Sequence, residues 1–131
     1  MPDDPMPDNP MNAGHQTAIE TLYRDVVTLG DKARGWFDGP GVAWRAALPV
    51  AERAAVATES LAITARLMAV MAWVLDPAHD GGAPARRLAI DPAAEGPMPA
   101  VLQGQVGGDI ALASRQLVAR AEALATRGVM A

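Results

Sequence analysis

Residues 49–75 read PVAERAAVATESLAITARLMAVMAWVL, and this stretch decides the fold. Pro49 suits a first helical turn, where its fixed φ is pre-organised and its missing N–H is not needed. Asp76-Pro77 ends the run, because proline disfavours helical backbone in the residue before it. A helix over these residues is roughly 40 Å long. Its large apolar residues, Val56, Leu61, Ile63, Leu67, Met68, Val70, Met71, Val74 and Leu75, cover about half of the circumference. The other half carries Ala51, Ala55, Thr58, Ala62, Ala65, Ala69 and Ala72 at alternating spacings of four and three. Only Glu52, Arg53, Glu59 and Arg66 interrupt these two faces. A helix apolar nearly all round is buried nearly all round. The large face is therefore expected to meet its own chain, and the alanine face to meet something else.

Two flanking segments share helical periodicity. From about Thr17 to Phe37, residues Ile19, Leu22, Val26, Leu29, Ala33 and Trp36/Phe37 recur every three or four positions and form one stripe. Gly30 and Gly35 weaken that helix by roughly 1 kcal/mol each relative to alanine. From about Ala100 to Thr126 the stripe is Leu102, Val106, Ile110, Ala113, Leu117, Ala121 and Leu124. Gly104, Gly107 and Gly108 make its first half poor, so order is expected to begin nearer Asp109, a suitable cap.

Between the helices lie breaks. Asp38-Gly39-Pro40-Gly41 opens a linker to Leu48, and residues 76–99 form a long loop rich in proline and glycine. Residues 1–14 hold four prolines and three acids, with little to bury, and read as a disordered acidic tail. The expected architecture is all-α: an antiparallel three-helix bundle over residues 15–127, preceded by that tail.

At 131 residues there is room for one domain. The absence of cysteine excludes disulfides, thiolate nucleophiles and Cys-ligated metal. A net charge of −4 argues against nucleic-acid binding, which needs a basic patch to release counterions. The acidic start is the reverse of a signal peptide, and the longest apolar stretch, Leu61–Leu75, is short for a bilayer and contains Arg66. A cytoplasmic protein without membrane contact is expected.

Groups suited to catalysis are scarce. His15 and His79 fall near the N-terminus and in the long loop. Asp76, His79, Asp80 and Asp91 lack the spacing of a zinc or calcium site, and a solvated loop is the simpler reading. Ser60 and Thr64 have no histidine close in sequence to act as a base. No enzyme activity, metal or cofactor is expected. A small-ligand or metal-binding helical bundle is the alternative from a different class.

The run Glu59-Ser60-Leu61-Ala62-Ile63-Thr64-Ala65-Arg66-Leu67-Met68-Ala69-Val70-Met71-Ala72-Trp73-Val74-Leu75 resembles the E-S-x-x-x-T-x-R-L-M-x-V-x-A-W-x-L core of the alphaproteobacterial regulator-of-CtrA-degradation (RcdA-like) family. Leu22-Tyr23 and Ala33-Arg34-Gly35-Trp36-Phe37-Asp38 are similar to its L-Y…A-R-x-Y-F motif. The likeness covers residues 19–75, whereas the glycines early in the third helix depart from the pattern. It implies a dimeric bundle acting as an adaptor for the ATP-dependent protease ClpXP. Its partners would then be the ClpX unfoldase and a cell-cycle response regulator such as CtrA. A paralogue that kept the bundle as a scaffold for a different partner is the alternative within this class.

The alanine face, Ala51, Ala55, Thr58, Ala62, Ala65, Ala69 and Ala72, is expected to be a homodimer seam. Small residues at heptad spacing let two helices approach closely. Trp73 would anchor its edge. Glu59 and Arg66 lie on the border between the two faces. They either reach solvent from the rim of the core or pair with Lys32, Arg34 or a second subunit.

Overall fold

The computed structural model describes residues 10–81, 88–90 and 95–130. Among these residues every regular element is helical, so the fold is all-α. Five α-helices follow in order: α1 (Pro10–Phe37), α2 (Pro40–Ala46), α3 (Val50–Val74), the short α4 (Ala78–Gly81) and α5 (Val106–Met130). A 3₁₀ turn, Ala100–Leu102, precedes α5. The three long helices pack pairwise, α3 on α5, α1 on α5 and α1 on α3, around one core.

In α1 the buried positions are Ile19, Leu22, Val26, Leu29 and Phe37, the stripe that the spacing predicts. The helix begins earlier than expected, at Pro10, whose ring suits a first turn. Residues 10–14 of the expected tail are therefore helical, and residues 1–9 lie outside the described residues. The expected linker after Pro40 is largely helical too, as α2. Pro40 occupies its first turn, and Arg45 donates a 2.7 Å hydrogen bond to the Phe37 carbonyl.

The third long helix starts at Val106, so Asp109 sits in its first turn instead of capping it. Its glycines are there for close approach. A β-carbon on Gly107 would collide with the Trp36 indole, and one on Gly108 with the Leu102 carbonyl. Gly41 of α2 bounds the same indole on another side, so Trp36 occupies a slot that only glycines leave open. Gly107→Ala should gain helix propensity yet lose roughly 1–3 kcal/mol to overpacking. A urea melt showing net stabilisation would mean that the indole moves freely.

α3 is turned about its axis relative to expectation. Its buried residues are Val56, Glu59, Ile63, Arg66, Val70, Trp73 and Val74. Leu61, Met68 and Leu75, expected in the core, are 74%, 66% and 61% exposed. Leu67 and Met71 are half-buried at the edge of the core. Ile63→Ala should therefore cost about 2–5 kcal/mol. Leu67→Ala removes less buried surface and should cost roughly 1–2 kcal/mol. Equal losses in denaturant titrations would contradict this orientation.

Candidate functional site

Past its first turn the central helix α3 turns its charged side chains inward and leaves Leu61 and Met68 exposed. Past Arg53, the charged residues of α3 are Glu59 and Arg66, and both are buried, Arg66 with only 1% of its surface exposed. Seven residues separate them, two helical turns, so they share a face. Arg66 Nη1 donates to Glu59 Oε2 at 2.7 Å and to Ser114 Oγ at 3.1 Å, and Arg66 Nε donates to Glu95 Oε1 at 2.7 Å. Ser114 Oγ in turn donates to the Ala111 carbonyl at 2.7 Å. Arg115 Nη2 stands 3.3 Å from Glu59 Oε1, and its Nη1 donates to the Gly96 carbonyl at 2.8 Å. Two arginines balance two glutamates, and together they tie α3, α5 and the segment at residues 95–96.

This geometry corrects both expectations for Glu59 and Arg66. They neither reach solvent from a rim nor pair with Lys32 or Arg34. Their partners come from α5 and residue 95, far away in sequence. Trp73 is no edge anchor either. It is 4% exposed and packs inside the core, because it falls on the Glu59–Arg66 side of the helix.

The alanine face is divided. Ala51, Thr58, Ala65 and Ala72 are exposed, whereas Ala55, Ala62 and Ala69 are half-buried. The outward surface is completed by Ala54, Leu61, Met68 and Leu75, all exposed. Interleaved, the eight positions 51, 54, 58, 61, 65, 68, 72 and 75 repeat at three and four residues without a charged side chain. Two open clefts flank this surface. One, about 350 Å³, lies between α1 and α3 beside Arg34, Asp38, Thr64 and Met68. The other, about 270 Å³, is bounded by Phe37, Arg45, Ala57 and Leu61. By length and composition α3 is also apolar enough to cross a membrane.

Among the described residues no group of three or more His, Cys, Asp or Glu side chains converges as metal ligands. His79 is drawn instead to His15, at 3.1 Å between ring nitrogens. Asp91 and the side chain of Asp80 lie outside the described residues.

Fold and surface together define a class: an all-α domain with an ionic cluster centred on the buried Glu59–Arg66 pair and one long helix presenting an exposed apolar face. The chain belongs to the family described as "Protein of unknown function (DUF1465)", which matches residues 11–129. No curated protein and no solved structure matches it.

Proposed function

We propose that this chain is a protein–protein interaction module that works as a homodimer through α3. The observation that carries the reading is the exposed, charge-free heptad of Ala51, Ala54, Thr58, Leu61, Ala65, Met68, Ala72 and Leu75. Repeats of three and four are what a partner helix needs to seat its side chains as knobs in holes. Alternating small and large residues let two copies interlock, the alanines of one facing Leu61 and Met68 of the other. A two-fold axis through the seam pairs the surface with itself, and the flanking clefts receive residues from its edge. A second copy is favoured over a bilayer because exposed polar side chains (Glu52, Arg53 and Thr64) flank the seam on the same helix.

The proposed role is that of an adaptor in regulated proteolysis, presenting a response regulator to the ClpX unfoldase. It rests on the resemblance of residues 59–75 and 33–38 to the regulator-of-CtrA-degradation family. The positions of that motif divide between the two features of α3: Glu59, Arg66 and Trp73 face inward, and Met68, Ala72 and Leu75 face outward. The bundle of α1, α3 and α5 would be the rigid body on which the dimer is built.

Size-exclusion chromatography with light scattering should give twice the chain mass at micromolar concentration, and a monomer would overturn the dimer. Tagged protein in a native lysate should recover ClpX or a response regulator at physiological salt. Recovery of neither would overturn the adaptor role and leave the dimer standing.

A further inference from the structure

Residues 13–18 of α1 are held by little buried apolar surface. Among the described side chains of the helix, Ile19 is the first that is buried, and positions 13–18 are exposed or half-buried. What fastens them is polar and comes from the corner after α3. His15 Nε2 and His79 Nδ1 lie 3.1 Å apart, with ring centroids 5.2 Å apart. One residue on, Gln16 Nε2 donates to the His79 carbonyl at 2.8 Å. His79 itself is fixed by Trp73. Its Nε2 lies 2.8 Å from the Trp73 carbonyl, and its ring meets the indole edge-on at 4.5 Å.

We propose that His15 and His79 form a proton-sensitive clasp, which fastens the first turns of α1 to the α3–α4 corner at neutral pH and releases them once both rings are protonated.

The tautomers follow from the contacts. A carbonyl oxygen only accepts, so His79 Nε2 carries a proton toward Trp73. In the neutral ring Nδ1 then holds a lone pair, and His15 Nε2–H donates to it. A first proton does not break this bond, because a cationic imidazole can donate to a neutral one. The second proton sets N–H against N–H, with two positive charges in contact.

The surroundings make that second proton unfavourable. Burial, then the charge of His79, then that of Arg127 on α5, hold the His15 pKa below the ordinary value of 6.5. Among the described side chains, Asp76 is the acid at this corner and accepts the Ala78 amide through Oδ1, and Glu20, further along α1, is exposed. The folded form thus binds fewer protons at His15 than the unfolded chain does. The contribution of the clasp is complete above about pH 6.5 and is lost as pH falls through the lower folded value. Two imidazoles alone fall short of the three protein ligands of a catalytic zinc site, and no third ligand joins them among the described residues.

Amide hydrogen exchange on the full chain, corrected for intrinsic rates, tests the clasp. Protection of residues 14–18 should fall about tenfold or more between pH 7.5 and pH 5, while amides in the middle of α5 keep theirs. His15→Ala raises helix propensity, so a structural helix end would be better protected in that variant. The clasp predicts the opposite: low protection at pH 7.5, and no further fall at pH 5. Wild-type protection that does not change with pH, or a His15→Ala variant as protected as wild type at pH 7.5, would overturn it.

Discussion

Arg66→Ala is expected to remove about 3–5 kcal/mol of folding stability, the usual consequence of deleting one partner from a buried ion pair. Marginal domains have roughly 5–15 kcal/mol in total, so the variant should be partly unfolded at 37 °C. Its severity comes from what stays behind. Glu59 is 5% exposed and would keep only Arg115, whose guanidinium stands 3.3 Å away and is shared with the Gly96 carbonyl. Glu95 would lose its 2.7 Å partner, and Ser114 Oγ one of its two hydrogen bonds. Arg66→Lys should recover part of the loss, because the ammonium restores the charge but cannot reproduce the fork that serves Glu59, Ser114 and Glu95 together. Pairing Arg66→Met with Glu59→Gln removes both charges and should be milder than Arg66→Ala alone. Urea titrations measure all three, and a loss below about 1 kcal/mol for Arg66→Ala would mean that water reaches the cluster.

The cluster also shows how far the sequence could be read. Val56, Glu59, Ile63, Arg66, Val70 and Trp73 recur at spacings of three, four, three, four and three, so the buried register of α3 is legible once charge is allowed inside. Weighting faces by side-chain size hides it, because Leu61, Met68 and Leu75 outweigh Glu59 and Arg66. The physical reason for the inversion lies elsewhere in the chain. Ser114, Arg115 and Glu95 neutralise and hydrogen bond the pair, and no local pattern announces that they will meet it. The helical stripes of α1 and most of α5 depend only on local periodicity and are plain in the sequence. The Trp36 slot has the same non-local character as the cluster. Gly107 and Gly108 read as helix weakness until Trp36 and Leu102 are seen against them. The clasp, likewise, joins residues 64 positions apart.

Ala65→Glu with Met68→Glu should convert the proposed dimer to a monomer while the fold survives. Both positions are exposed on the isolated chain, Met68 at 66%, so new carboxylates there are solvated in the monomer and displace nothing from the core. In the dimer the same carboxylates face their two-fold copies across a seam with no basic residue between positions 54 and 75 on its outward side. Desolvation and like-charge repulsion then act together, at several kcal/mol per juxtaposed pair. Self-association should weaken by at least about a hundredfold, which is roughly 2.7 kcal/mol. Helicity and the urea midpoint, measured below the dissociation constant, should change little. Leu112→Glu on α5 is the control: Leu112 is also exposed, at 48%, but lies off the seam, and its substitution should leave the mass unchanged. Ala62→Glu separates the two orientations of α3. Ala62 is half-buried, so a carboxylate there should lower stability more than it lowers association. If the double variant remains dimeric and Leu112→Glu dissociates, the contact surface belongs to α5, and α3 needs another occupant for its outward face.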